Sequence, residues 1–147
     1  MRGWVVAFLG IWLATATAGA PERAESWRLS PAETRDAVRA TVAAQLQALR
    51  AGKFDAAYAL AASGIRRQFT APGFAAMLRR GYPALLEHRR FEAGLVRGDR
   101  ERHAQVTFTV YDAADTAKDY RYTLVNEDGR WLIEGVVAGR AEPSRGI

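Results

Sequence analysis

The sequence predicts an α+β fold, three helices followed by a four-stranded antiparallel sheet. Two observations predict it. Between Ser30 and Glu87 the apolar residues recur at helical spacing, and from Phe91 to Val137 they alternate at the period of two expected of half-buried strands. The turn Asn126-Glu127-Asp128-Gly129 lies between two of the alternating segments, and its residues tolerate the left-handed backbone that a tight hairpin needs. Helices first and a strand meander after them is the order of an α+β domain.

The first eighteen residues are expected to be a cleaved secretory signal rather than part of the fold. A cationic start at Arg2, an apolar run from Gly3 to Leu13 and a small-residue segment ending in Ala16-Thr17-Ala18 make that pattern. The run is shorter than the about 20 apolar residues that span a bilayer, so no stable membrane anchor is expected. Cleavage after Ala18 places the protein in the periplasm or outside the cell. It also removes Arg2, lowering the formal net charge of +5 by one. The chain contains no cysteine, so in an oxidising compartment it must stand on its core without disulfides. A basic balance favours encounter with anionic ligands or surfaces. Export argues against a nucleic-acid partner.

Residues 19–30 read as a polar lead-in with Trp27 as its one large apolar residue. Ser30-Pro31-Ala32-Glu33 then predicts a helix start, with serine as cap, proline in the first turn and glutamate completing a capping box. Val38, Val42, Leu46 and Leu49 form its apolar stripe, and Gly52 ends it. A second helix is expected from Phe54, with Asp55 capping it and Ser63-Gly64 closing it. Thr70 is the next cap, and the third helix carries Phe74, Met77 and Leu78 to Tyr82 before Pro83 interrupts it.

Four strands are expected: Phe91–Val96, His103–Tyr111, the segment around Tyr120, Tyr122 and Leu124, and the stretch Asp128–Val137. Val106, Phe108 and Val110 share one face of the second. In the fourth, Trp131, Ile133 and Val137 are predicted to share the helix-covered side, with Gly135 at a bulge or bend. Leu132, Val136 and Val125 are then assigned to the opposite face as an apolar patch for a homodimer. The single domain is taken as residues 31–139 and the remainder, 140–147, as a disordered tail.

Several segments carry a family resemblance. Gln45-Leu46 through Gly52-Lys53-Phe54-Asp55-Ala56-Ala57-Tyr58, then Phe74-Ala75-Ala76-Met77-Leu78 with Tyr82-Pro83, then Gly129-Arg130-Trp131-Leu132-Ile133 with Val136, resemble the family called domain of unknown function 4864. The domain also resembles the nuclear transport factor 2-like superfamily, of cystatin-like cone shape. That resemblance implies a long helix and two shorter ones on a strongly curved sheet. The superfamily includes enzymes, among them ketosteroid isomerase and polyketide cyclases, and members that only bind partners or assemble.

Few residues here suit catalysis. Ser63 is adjacent to a glycine without a nucleophile-elbow pattern, and the histidines His88 and His103 are read as surface residues among arginines. Neither has partners at metal-ligand spacing, and no cofactor is expected. Asp112, Asp115 and Asp119 lack the pattern of a calcium loop and read as a solvated turn. Glu134 and Asp55 are the acids nearest to apolar runs; whether either faces a pocket decides an isomerase-like reading. No catalytic residue is assigned. Tyr58, Phe69, Met77, Tyr82, Phe108, Tyr122 and Trp131 form the candidate pocket, either filling the core or lining a cavity between helices and sheet. Seven arginines against four acids between Arg79 and His103 form a basic segment that meets an anion if it converges and is a solvated face if it does not. The expectation is an exported, non-enzymatic module binding a small apolar or anionic ligand or a protein, with an isomerase- or cyclase-like enzyme as the alternative.

Overall fold

The computed structural model describes residues 27–99 and 102–139. The predicted leader and tail lie outside these residues. In chain order the elements are β1 (Arg28–Leu29), α1 (Ala32–Arg50), α2 (Phe54–Ala59), α3 (Ser63–Gln68), α4 (Ala71–Gly81), α5 (Pro83–Glu87), β2 (Arg90–Gly98), β3 (His103–Tyr111), β4 (Ala117–Glu127) and β5 (Arg130–Ala138). The five strands form one open antiparallel sheet in sequence order. The class is α+β, with five helices and five strands among the described residues rather than three and four.

Each difference has a tertiary cause. The predicted second helix breaks at Leu60 because the chain there leaves its helix to pair with the outer side of β5. The Ile133 amide donates to the Leu60 carbonyl at 2.9 Å and the Ala62 amide to the Ile133 carbonyl at 2.7 Å. Ser63-Gly64 therefore opens α3 instead of closing α2. The Glu127 carboxylate accepts from the Ser63 amide at 3.1 Å and from its hydroxyl at 2.7 Å, supplying that helix start from across the fold. Pro83 does divide α4 from α5, since a proline nitrogen has no hydrogen to donate. The fifth strand comes from the lead-in: Arg28 pairs with Gly98 and Leu29 with Arg97. Two residues are too short a run to show alternation.

Helix α1 carries the core. Val38, Val42, Leu46 and Leu49 are buried at the spacing predicted, with Gln45, whose amide donates to the Ala57 carbonyl at 3.1 Å. Its end is a Schellman turn, with Gly52 at φ +74°. The Gly52 amide reaches the Leu49 carbonyl at 3.1 Å and the Lys53 amide reaches Ala48 at 2.8 Å, satisfying carbonyls that the helix leaves open. Against this stripe the sheet sets Val96, Ala104, Val106, Phe108, Val110, Tyr120, Tyr122, Leu124 and Ile133. Each buried large aliphatic or aromatic side chain contributes roughly 1.5–3 kcal/mol of transfer free energy.

The faces of β5 differ from simple alternation. Leu124 pairs with Ile133 but Thr123 pairs with Gly135, so Glu134 is the extra residue of a bulge. The bulge expected at Gly135 is there. Its consequence is that Val136, not Val137, packs on the core beside Trp131 and Ile133, while Val137 is 48% exposed. Leu132 and Val125 are buried in a small cluster with Ala62. Of the three residues assigned to an exposed apolar patch, Val125 and Leu132 are thus covered by the Leu60–Ala62 segment, and the bulge turns Val136 onto the core, where it is half-buried. At the β4–β5 turn, Asp128 and Gly129 both take positive φ, 54° and 85°, as the hairpin reading requires.

Candidate functional site

The seven aromatic and sulfur-bearing candidates all belong to or pack on the main core. Phe108 and Tyr122 are fully enclosed, with ring centroids 5.8 Å apart, and Tyr58, Phe69, Met77, Tyr82 and Trp131 are half-buried against them. Two of the phenols are occupied by backbone carbonyls: Tyr58 donates to Phe69 and Arg66, and Tyr82 donates to Val136 at 3.1 Å. The third, the Tyr122 hydroxyl, is sealed from solvent without a partner among the described residues. Burial pushes its pKa far above the ordinary range, and Tyr120 and Tyr82 add to the shift. Of the seven, Trp131 borders open space.

That space is a depression of about 510 Å³ at one end of the sheet. An antiparallel meander brings the end of β2, the start of β3, the end of β4 and the start of β5 to the same edge. β1 delivers the start of α1 beside them. The lining comprises Arg28, Leu29, Ser30, Pro31, Glu33, Thr34, Ala37, Gly98, His103, Asn126, Gly129 and Trp131. Leu29, Ala37 and Trp131 give it apolar wall, and Arg28, Thr34 and Asn126 give it donors.

The start of α1 is not capped as the sequence suggests. Pro31 occupies the N-cap position, and among the described residues no side-chain cap bonds the first-turn amides. Ser30 is instead drawn into the sheet edge: its amide donates to the Val96 carbonyl at 3.0 Å and its carbonyl accepts from Arg35 at 3.1 Å. The Ser30 hydroxyl is buried with no partner among the described residues, the residue being 5% exposed. It lies over Gly98, where a Cβ would come within 3.1 Å of that oxygen and of the His103 carbonyl.

His103 is fixed on the lining of the depression. Its Nδ1 is 2.8 Å from Asp99 Oδ2, and Asp99 Oδ1 accepts from the amides of His103 at 2.9 Å and Arg102 at 3.3 Å. Burial raises the Asp99 carboxyl, but the bonds from His103 and Arg102 outweigh it and hold the group below the usual carboxylate range. The local reason is a tight β2–β3 connection that folds Asp99 back over the start of β3. A spacing of four between an aspartate and a histidine flanking a connection was the sequence signal for this pair.

The other predicted groups fall elsewhere. His88 is buried rather than on the surface, 2% exposed, with Nδ1 2.9 Å from the Leu85 carbonyl and its ring 5.6 Å from Phe91. Burial lowers its pKa, the Leu85 carbonyl partly restores it, and Arg50 lowers it further. Asp55 does not cap α2, whose N-cap is Lys53; it is exposed on a smaller, single-turn depression of about 430 Å³ lined by Gly52–Ala56. Glu134 is half-buried in the bulge, with one carboxylate oxygen enclosed and unpartnered among the described residues. Asp112 closes its own turn by accepting from the Ala114 and Thr116 amides, each at 2.9 Å. Asp115 pairs with Arg90 at 2.9 Å.

The arginine run does not converge. Arg90 stacks 3.5 Å over the Tyr111 ring at one end of β2, Arg97 lies near the other end, and Arg79 covers Phe54 from α4 at 4.5 Å. Arg100 and Glu101 lie outside the described residues. Among the described residues no group of three or more histidines and carboxylates is placed to hold a metal, and no helix is long and apolar enough to cross a membrane.

Comparison with the curated proteins and with the solved structures finds no match. The sequence model of the family described as "Domain of unknown function (DUF4864)" matches residues 31–145, most of the 147-residue chain, and the chain belongs to that family.

Proposed function

We propose that this chain is an exported, non-enzymatic module that binds a small ligand in the depression between the start of α1 and the end of the sheet. The observation that carries the reading is the composition of that depression, an indole and aliphatic wall beside several polar groups on rigid elements, the arrangement by which proteins hold and orient small molecules. The aromatics further inside support the same assignment indirectly, since they pack on one another and two of their three phenols are bonded to backbone. We also infer kinship with the nuclear transport factor 2-like superfamily. A long helix laid on a sheet bent by bulges in β2 and β5 supports it.

An isomerase- or cyclase-like enzyme has less support. Its acid–base group would stand among the buried aromatics, and the histidine found there, His88, is enclosed at 2% exposure with Nδ1 committed to the Leu85 carbonyl.

A fragment screen by thermal shift tests the binding reading, with Trp131 emission as the local reporter in a Trp27→Phe background. Binders should raise the melting temperature by mass action and perturb Trp131. A diverse set that leaves both unchanged refutes it. Fractionation of expressing cells tests export: retention of the full-length chain in the cytosol refutes that part.

A further inference from the structure

We propose that the corner where β1 meets the bulge of β2 docks reversibly on a bilayer of anionic phospholipid, its two exposed leucines entering the interface and the arginines around them meeting the headgroups. This goes beyond small-ligand binding and does not depend on it.

Among the described residues three large apolar side chains stand exposed, and two of them, Leu29 at 58% and Leu95 at 62%, share this corner. The backbone puts them there. Ala93 pairs with Phe108 and Val96 with Val106, so Gly94 and Leu95 together oppose the single residue Thr107, which is a bulge. Glycine allows it, because a Cβ at position 94 would stand 2.9 Å from the Thr107 carbonyl oxygen. The strand resumes with Val96 in the core, and the exposed Leu95 and Arg97 fall on the face away from the helices. Leu29 pairs with Arg97 across β1 and β2 and takes the same face. The bulge is held from α1, whose Arg39 guanidinium donates to the Gly94 carbonyl at 2.9 and 3.3 Å. Single leucines scattered on a surface need no explanation, but two neighbours presented on a supported bulge form an apolar tip.

Charge selects what the tip meets. Arg97 stands beside both leucines and Arg28 precedes Leu29, while Arg35 and Arg39 reach this edge by bonding the Ser30 and Gly94 carbonyls. Bonds to neutral carbonyls leave those charges uncompensated. Of the acids on the same elements, Glu92 pairs with Arg90, and Asp99 is turned to His103 and the Arg102 amide. Glu33 and Asp36 remain open, so four arginines stand against two open carboxylates, and the chain's formal net charge of +5 has the same sign. A twofold contact between two copies would turn this patch on itself and set arginine against arginine. Two leucines also offer far less than the about 800 Å² per partner of a standard protein interface. An anionic bilayer complements the charge and needs only a small apolar insertion, since interfacial binding adds the two contributions. No helix among the described residues is long and apolar enough to cross a membrane, so the contact made by this corner is peripheral.

The test is flotation of the full chain with vesicles of phosphatidylglycerol and phosphatidylcholine in equal parts, beside vesicles of phosphatidylcholine alone. The chain should float with the first and not with the second, and added salt should release it. Leu95→Ser should weaken the partition by about tenfold, the effect of withdrawing one leucine from the interface, and Arg97→Glu should weaken it by about as much or more. Both residues are exposed, so the urea-unfolding midpoint of each variant should match the parent, which separates a lost surface from a lost fold. Val137→Ser alters the third exposed apolar side chain, on β5, and should bind as the parent does.

The proposal is overturned if the chain binds neither vesicle or both alike. It is overturned too if Leu95→Ser and Arg97→Glu bind as the parent does, which would assign the binding to another stretch such as the apolar run from Gly3 to Leu13. A parent that sediments as a dimer, dissociated by Leu95→Ser, also overturns it, because a second copy then covers the leucines. Leu95 and Arg97 do not line the depression, so none of these results bears on the small-ligand reading.

Discussion

Replacing Tyr122 with phenylalanine should stabilise this protein. The side chain is fully enclosed and its hydroxyl has no partner among the described residues, so folding strips water from that group without replacing the hydrogen bond. A buried unsatisfied hydroxyl costs about 1–3 kcal/mol. The void left by one oxygen returns only a few tenths of that, at about 24 cal/mol per Å³ of cavity. The ring itself, in edge contact with Phe108, stays in place. The net gain is about 1–2 kcal/mol, or roughly 4–8 °C in melting temperature for a domain of this size. Urea unfolding at neutral pH measures it, with the dependence on denaturant unchanged if the denatured state is unaffected.

The same substitution has an alkaline readout with a definite sign. The folded-state pKa of Tyr122 is raised by burial above the unfolded value of 10.0. Below that value both states hold the proton and no stability is at stake. Above it the unfolded chain releases a proton that the folded chain keeps. Stability then falls by about 1.4 kcal/mol per pH unit for this group. Tyr122→Phe should remove that share of the slope, leaving the smaller shares of Tyr82 and Tyr120, which burial also raises. A variant less stable than the parent by about 1 kcal/mol, with an unchanged alkaline slope, would refute the reasoning and mean that the hydroxyl has a bonded partner inside the protein.

Three further outcomes are expected. His88 has a folded pKa lowered chiefly by burial, so stability is complete above the unfolded value of 6.5 and falls as pH drops below it. His88→Asn should flatten the stability profile below about pH 6.5, measured by chemical unfolding from neutral pH downward. Glu127→Ala removes the acceptor for the amide and hydroxyl of Ser63 and should cost about 1 kcal/mol, with faster hydrogen exchange at the start of α3 as the local sign. Leu46→Ala, at a fully buried position of α1, should cost about 2–5 kcal/mol in urea unfolding; a loss under about 1 kcal/mol would contradict the packing of α1 on the sheet.

Where the sequence was legible, a short-range physical rule governed. The stripe Val38, Val42, Leu46 and Leu49, the positive-φ end at Gly52, the Thr70 cap that accepts from Gly73, the break at Pro83 and the Asp128-Gly129 turn all depend on neighbours within one or two turns of chain. The alternation of β3 depends only on one face being covered. Where the reading failed, the deciding contact lay far along the chain. Ser30 looks like a helix cap until β1 pairs with β2 and pulls it into the sheet edge. Ser63-Gly64 looks like a helix end until Leu60–Ala62 joins β5 and Glu127 meets Ser63.

The candidate site follows the same division. Trp131 is legible from its position on a strand, but the other residues around the depression read as a helix start, a turn or nothing in particular, since stretches near residues 30, 100 and 128 meet there only through the meander. By itself the sequence determined the α+β class, the helix that holds the core, the turns and the family, because periodicity and turn chemistry are local. The tertiary structure alone decided which polar groups are buried without partners among the described residues, which face of β5 meets the core beyond the bulge, and where the start of α1 meets the end of the sheet. Burial and hydrogen-bond satisfaction are properties of a packed surface, and residues distant in sequence build that surface.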